Sequence, residues 1–89
     1  FISMPDYVAA KGMRILGNPL PGDEKVISGE SGAATSGFVF ELLDNASLNE
    51  LRDKLGITKD SRILCFSTEG DTDKENYRRI VWDGTHPSF

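Results

Sequence analysis

Hydroxyl and carboxylate side chains are concentrated in residues 67–73, directly after an apolar run at residues 63–66. Ser67 and Thr68 each offer one O–H donor and two acceptor lone pairs, and three acids follow them in the same stretch. Groups of this kind can hydrogen-bond the polar edge of a small molecule. The pattern therefore predicts a binding site at residues 67–73, with the two hydroxyls as its first candidates.

A second stretch, residues 28–37, contains three glycines, two alanines and four serine or threonine residues. An apolar run follows it, which predicts a helix over residues 31–43 with a first turn of small residues. The free N–H groups at a helix start attract anions, so a phosphate or carboxylate could lie near Ser31. Close packing against a neighbouring helix explains the small residues equally well, and the stretch matches no phosphate-loop or dinucleotide fingerprint.

Other chemistries fit the sequence less well. The acids between residues 71 and 75 alternate as in a calcium-binding EF-hand loop, but Asn76 and Trp82 stand where that loop needs glycine and glutamate. His86, the single histidine, lies near the chain end, and the sequence has no nucleophile elbow for Ser-His-Asp catalysis. We therefore expect neither a metal site nor a catalytic triad, and we expect the acids to be turn and cap residues.

Composition excludes several classes of partner. The 89 residues carry a net charge of −4 without a cluster of Lys or Arg, so we expect no nucleic-acid partner. No apolar run approaches the roughly 20 residues that span a bilayer, which predicts a cytoplasmic protein without a membrane partner. The single cysteine, Cys65, lies in an apolar run and is expected to be a buried small hydrophobe. The chain starts at Phe1 without an initiator methionine, which suggests a cut inside a larger protein.

Helices and strands are predicted to alternate. Pro5 and Asp6 start a first helix that ends at Gly12, and a serine and a glutamate at 47 and 50 form a capping box for a helix that ends at Gly56. Asp73 caps the last helix, residues 74–81. The predicted strands are residues 13–16 and residues 62–66.

This alternation predicts an α/β fold, with short strands and helices around a mostly parallel sheet. The apolar strand at residues 62–66 suits an interior position in such a sheet. Ligands of these sheets bind beyond the carboxyl ends of the strands. Ser67, Thr68 and Glu69 would stand at that end, so the predicted fold and the predicted site agree.

The same residues resemble a known family. The sequence S-G-E-S-G-A at residues 28–33, followed by F-S-T-E-G-D-T-D at residues 66–73 and by Tyr77-Arg78, closely resembles the carboxyl-terminal portion of the diaminopropionate ammonia-lyase family. These are pyridoxal 5'-phosphate (PLP) enzymes of fold type II, similar to tryptophan synthase β chains. The second motif is specific, whereas the first also occurs in other fold type II deaminases. The resemblance implies that residues 1–89 are the carboxyl-terminal portion of a PLP-dependent lyase, not an autonomous catalytic domain.

The resemblance also implies roles for particular residues. Ser67 matches the residue whose hydroxyl hydrogen-bonds the pyridine nitrogen of PLP, and Thr68 is the second choice for that bond. A neutral hydroxyl cannot hold a proton on that nitrogen as a carboxylate would, which tempers the ring as an electron sink. Glu30 and Ser31 match positions bordering the ring, with Glu30 as a supporting or substrate-amine contact. Alternatively, Glu30 has only a structural role, as a first-turn acid that the helix dipole stabilises.

The reaction implied is α,β-elimination of 2,3-diaminopropionate to pyruvate and ammonia, in a homodimer. The lysine that binds PLP and the catalytic bases would lie upstream, and no lysine of this chain is in a matching motif. We therefore expect no catalytic residue here, and we expect the isolated chain to be inactive. Two alternatives remain: another fold type II deaminase, such as a serine or threonine dehydratase, and a small non-catalytic interaction domain. A severed portion should expose apolar surface at Phe38, Phe40 and Phe66.

Overall fold

The computed structural model describes residues 2–87, and every regular element within them is helical. Phe1, on which the suggestion of an internal cut depends, lies outside the described residues. The elements are α1 (Asp6–Gly17), α2 (Glu30–Asp44), a 3-10 helix (Ala46–Leu48), α3 (Asn49–Lys54) and α4 (Lys74–Val81).

The predicted α/β fold with a parallel sheet is wrong, because residues 2–87 contain no strand. Residues 62–66 run without regular structure, and their backbone groups make no hydrogen bond to other backbone within the described part of the chain. Leu64 and Phe66 are 77% and 72% exposed. A strand exists only when a neighbouring strand takes up its N–H and C=O groups, and the described residues supply none. Apolar character alone therefore misidentified this segment.

The predicted strand at residues 13–16 is also wrong, since α1 passes through Gly12 and continues to Gly17. Met13 is 1% exposed and lies one helical turn from the buried Ala10, so helical periodicity places both side chains against the core. The end of α1 is satisfied by Asn18, whose backbone N–H and side-chain amide both donate to the carbonyl oxygen of Arg14, each at 2.9 Å. The burial of Ala10 and Met13 therefore outweighs the tendency of Gly12 to end the helix.

The crossing of α1 and α2 shows why Gly12 stays helical. A Cβ placed on Gly12 would lie 2.2 Å from the carbonyl oxygen of Ala33, and one placed on Gly37 would lie 2.0 Å from the carbonyl oxygen of Val8. Both distances are far below van der Waals contact, so the two backbones approach as closely as only glycine permits. The predicted helix over residues 31–43 is confirmed, and its glycines serve this close packing.

The core lies where α1, α2 and α4 meet. Its members are buried apolar side chains with partly buried neighbours packed against them: Ala10, Met13, Ala33 and Ile80, with Leu16, Tyr77 and Val81. The predicted last helix is confirmed, together with its cap, because the Asp73 carboxylate accepts a hydrogen bond from the backbone N–H of Asn76 at 3.0 Å. The core thereby packs both α2 and α4 against α1.

A buried ion pair adds a second link between α1 and α2. Glu41 is 6% exposed, and its carboxylate accepts a hydrogen bond from the ammonium group of Lys11. The side chains of Tyr7 and Asn45 also donate to it, at 3.5 and 3.3 Å. The Lys11 hydrogen bond, with help from these donors and against the effect of burial, lowers the pKa of Glu41 below its ordinary value of 4.5.

The predicted capping box of Ser47 and Glu50 is wrong, since the start of α3 has no side-chain cap. Asn45 is the capping residue, because its side-chain oxygen accepts from the backbone N–H of Ser47 at 3.0 Å and from the Ser47 hydroxyl at 2.7 Å. Gly56 follows the end of α3 with φ of 72°, which confirms the predicted glycine stop. Among residues 2–87, no helix has both the length and the apolar character that a bilayer crossing requires.

Candidate functional site

The 67–73 loop and the start of α2 lie side by side, although residues 31 and 67 are far apart in sequence. Ser67 and Thr68 are exposed, as is Ser31 in the first turn of α2. Glu30, the first residue of α2, is half-buried. The structure thus brings all four predicted site residues to one region, but Glu30 lines a cavity whose lining includes neither Ser67 nor Thr68.

Glu69 joins the loop to α2 through both its backbone and its side chain. The backbone N–H of Gly29 donates to the Glu69 carbonyl oxygen at 3.3 Å, and the backbone N–H of Ser31 donates to the Glu69 carboxylate at 3.1 Å. The anion at this helix start is therefore the chain's own carboxylate, where the sequence had suggested a ligand's phosphate or carboxylate. A sequence gives no sign of such a pairing between distant residues.

Two glycines leave the room that this loop occupies. A Cβ on Gly29 would lie 2.8 Å from the Glu69 side chain. A Cβ on Gly32 would lie 2.7 Å from the Ser28 hydroxyl oxygen and 3.1 Å from the backbone nitrogen of Thr68. The small residues of the 28–37 stretch therefore serve two purposes, since they admit the loop on one side and α1 on the other.

Ser28 lies behind Ser67 and was missed by the sequence analysis. Its side chain is fully buried, and its hydroxyl lies 3.2 Å from the Gly29 carbonyl oxygen, to which it donates. The exposed Ser67 hydroxyl donates to the Ser28 oxygen at 3.4 Å. Ser67 is therefore anchored on its protein side and accessible on the other.

An open cavity of about 220 Å³ lies between the loop, the start of α2 and α4, with Met13 among its lining residues. Four acidic residues are among those that line it: Glu30, Glu69, Asp71 and Asp73. The side-chain amide of Asn76, in α4, donates to the Glu30 carboxylate at 2.5 Å, so Glu30 is held in place. No local sequence pattern could have linked Glu30 to Asn76, because the two residues are 46 positions apart.

Tyr77 also lines this cavity, and its hydroxyl oxygen is buried without a hydrogen-bond partner among the described residues. Burial raises the pKa of the Tyr77 hydroxyl, and the negative charge of Asp71 raises it further. The group is therefore a neutral phenol at physiological pH and not a base.

No group of three or more His, Cys, Asp or Glu side chains among residues 2–87 is arranged to hold a metal ion. His86 is exposed, with its carbonyl oxygen bound by the Arg14 guanidinium at 2.6 Å. Cys65 is only partly buried, so the expectation of a buried small hydrophobe was too strong.

Comparison with solved structures identifies the class of protein that contains this arrangement, an ammonia-lyase that works with PLP. The chain superposes on Escherichia coli diaminopropionate ammonia-lyase in its apo form with a TM-score of 0.85, at 48% identity over 92% of this chain and 23% of that one. It superposes equally well, at 0.85 and 48% identity over 92% of this chain and 21% of the other, on the same enzyme in complex with an aminoacrylate-PLP azomethine reaction intermediate.

Curated sequences lead to the same particular protein. Diaminopropionate ammonia-lyase of Escherichia coli strain K12 is 49% identical over 86 residues, which is 97% of this chain and 22% of the relative. The enzyme of Salmonella typhimurium strain LT2 is 47% identical over 85 residues, 94% of this chain and 21% of the relative. No family model matches the chain.

The resemblance to diaminopropionate ammonia-lyase is therefore confirmed, and it covers nearly the whole chain. The matching region is a carboxyl-terminal part of the enzyme, and the chain spans about a fifth of the length of the relatives that it matches.

Proposed function

We propose that this chain is the carboxyl-terminal part of a PLP-dependent ammonia-lyase that converts 2,3-diaminopropionate to pyruvate and ammonia by α,β-elimination. The observation that carries this proposal is the similarity over nearly the whole chain to an enzyme solved with an aminoacrylate-PLP azomethine. In this proposal residues 1–89 supply one wall of the cofactor site and are not an autonomous catalytic domain.

The residues beside the start of α2 fit one edge of a pyridine ring. Ser67 is exposed, its hydroxyl can donate to a ring nitrogen, and the buried Ser28 supports it from behind. Gly29 and Gly32 keep Cβ atoms out of the adjoining space, which Glu69 and the Ser28 hydroxyl fill. Bound PLP supplies an electron sink that stabilises negative charge at the α-carbon of an amino-acid substrate.

In this proposal Ser67 binds the ring nitrogen, with Thr68 as the alternative donor and Ser31 at the border of the ring. Glu30 has a different role in the proposal. Its carboxylate is held by Asn76 and lines the polar cavity, which supports a contact to the substrate's ammonium group. Because the chain carries no lysine in a matching motif, the lysine that binds PLP and the catalytic bases belong to the remainder of the enzyme.

The remainder of the enzyme is also the proposed partner of the exposed apolar side chains. Phe66 is strongly exposed and Phe40 is 41% exposed, whereas Phe38 is partly buried, so the expected apolar surface is present at two of the three phenylalanines. A homodimer and membership of the fold type II group remain predictions from the family resemblance, and a cytoplasmic location remains a prediction from the sequence.

The test of the proposed cofactor contact is Ser67→Ala in the complete polypeptide that carries this chain. Loss of one neutral hydrogen bond should cost on the order of 1 kcal/mol, which weakens PLP retention and slows turnover by about fivefold. Dialysis against PLP-free buffer, followed by absorbance of the retained cofactor, measures the first effect, and pyruvate release measures the second.

Thr68→Ala and Ser47→Ala are the matched comparisons. Ser47 is exposed in the 3-10 helix, and its hydroxyl bonds only to Asn45 among the described residues, so its loss should leave the cofactor unaffected. If Ser67→Ala retains PLP as the unaltered enzyme does and Thr68→Ala does not, the contact belongs to Thr68. If neither change has an effect, the 67–73 loop does not bind the ring nitrogen.

A further inference from the structure

We propose that Ser28 is a positioning residue for the cofactor, acting through the Ser67 hydroxyl that it supports. This inference rests on the proposed function, because it assigns Ser28 a role only if Ser67 meets the ring nitrogen of PLP. Ser28 itself touches no ligand in this arrangement. It fixes the direction of the Ser67 hydroxyl and polarises its proton.

The burial of Ser28 calls for an explanation. It is the one polar residue among the largest side chains that are fully buried in residues 2–87; the others are Met13, Leu42 and Ile80. Burial of a hydroxyl is unfavourable unless the group finds hydrogen-bond partners. An alanine would fill the same position without this cost, so the hydroxyl serves a purpose that packing does not supply.

The partners of Ser28 define that purpose. Its single proton has two acceptors within reach, the Gly29 carbonyl oxygen at 3.2 Å and the Ser67 hydroxyl oxygen at 3.4 Å. The Gly29 carbonyl also accepts from the backbone N–H of Ala33 at 3.0 Å, so it stays satisfied when the Ser28 proton turns away. Ser28 can therefore exchange one acceptor for the other without leaving a buried group unpaired.

This exchange determines whether the Ser67 hydroxyl is free to donate to the ring nitrogen. When Ser28 donates to Gly29, the Ser67 proton points inward to Ser28. When Ser28 donates to Ser67, the Ser67 proton is free for the ring nitrogen. Hydrogen bonds in such a chain polarise one another, so Ser67 becomes a stronger donor while Ser28 donates to it. The separation of 3.4 Å is long for an O–H···O bond, and contacts in binding sites often shorten when the ligand binds.

Gly32 keeps this arrangement in place. A Cβ at residue 32 would lie 2.7 Å from the Ser28 oxygen, 3.1 Å from the Thr68 backbone nitrogen and 3.5 Å from the Thr68 hydroxyl oxygen. An alanine there would displace the Ser28 hydroxyl without removing it. Ser28→Ala therefore removes the contact, whereas Gly32→Ala displaces the Ser28 hydroxyl and also crowds the loop at Thr68.

The experiment uses the complete polypeptide loaded with PLP that carries nitrogen-15 in the pyridine ring. We expect Ser28→Ala to move the ring-nitrogen chemical shift in the same direction as Ser67→Ala, and to weaken PLP binding by roughly two- to tenfold. Because Ser28 acts through Ser67, the double variant should match Ser67→Ala alone. Ser47→Ala is the control for a serine outside the site, and a structural role for Ser28 would lower stability without moving the chemical shift.

The outcomes separate this inference from the proposed function. A shift in Ser67→Ala but none in Ser28→Ala would overturn the role of Ser28 and leave the Ser67 contact standing. Additive effects in the double variant would also overturn it. If Ser28→Ala does not fold, Gly32→Ala takes its place, and an unaltered ring-nitrogen shift in that variant refutes the inference. A complete polypeptide that binds no PLP would refute the proposed function itself.

Discussion

Gly37→Ala should destabilise the chain by about 2–3 kcal/mol, even though alanine is the better helix former. Exchange of glycine for alanine in a helix interior ordinarily gains up to about 1 kcal/mol. Here the new Cβ would meet the carbonyl oxygen of Val8 at 2.0 Å and the backbone nitrogen of Gly12 at 3.1 Å. Both obstacles are backbone atoms, so no side-chain rotation relieves the clash and α1 must move away from α2.

Gly70→Ala is the control for this prediction, since a Cβ at Gly70 meets nothing within 4 Å. Urea denaturation followed by far-ultraviolet circular dichroism, at low protein concentration, gives the free energy of unfolding of each variant. The Gly70 variant should unfold within about 0.5 kcal/mol of the unaltered chain. Equal midpoints for the two variants would show that α1 and α2 do not cross at their glycines.

Lys11→Met should destabilise the chain by about 1–3 kcal/mol at neutral pH, because it leaves the buried Glu41 carboxylate without its cation. The loss should depend on pH. The pKa of Glu41 is lowered in the folded chain, so the stabilisation by its ionised form is complete above the ordinary value of 4.5. This stabilisation disappears as the pH falls from 4.5 through the lowered pKa of Glu41 in the folded chain. Below that pKa the carboxyl is protonated in both the folded and the unfolded state.

The difference between Lys11→Met and the unaltered chain should therefore narrow as the pH is lowered from 7 to below 4, in urea denaturations at each pH. Lys54→Met is the matched control, because the Lys54–Glu50 pair, at 3.4 Å, is exposed on both side chains. Exposed pairs of this kind contribute about 0–1 kcal/mol. A Lys11 effect as small as the Lys54 effect, or one that grows on acidification, would contradict the assigned ion pair.

Local sequence signals predicted the helices that depend on local contacts. The last helix and its Asp73 cap, the helix at residues 31–43 and the Gly56 stop all follow from hydrogen bonds between neighbours in sequence. The sheet was predicted from apolar runs alone. A strand needs a partner, and within residues 2–87 the apolar run at 62–66 has none, so the same residues remain exposed and irregular.

The candidate site was predicted in part. The hydroxyls of Ser67 and Thr68 stood out because polar residues follow an apolar run, and the structure places them beside the start of α2. Glu69 was noted only for its place after the apolar run, and Ser28 was assigned no role, because their contacts join residues about 40 positions apart. Only the pairing of S-G-E-S-G-A with S-T-E-G-D-T-D in one family resemblance hinted that the two stretches meet.

The identity of the substrate distinguishes the proposed lyase from a serine or threonine dehydratase. Both classes would use the same ring-nitrogen contact, so Ser67 variants do not separate them. A small interaction domain, the third possibility from the sequence, would release no product from any amino acid. The products of the complete polypeptide therefore test the proposed activity against both alternatives.

That measurement is the release of pyruvate and ammonia by the complete polypeptide with PLP, supplied in turn with 2,3-diaminopropionate, serine and threonine. We predict that 2,3-diaminopropionate is the preferred substrate and yields two ammonia molecules for each pyruvate. A preference for serine, ketobutyrate formed chiefly from threonine, or no product from any of the three would contradict the assignment.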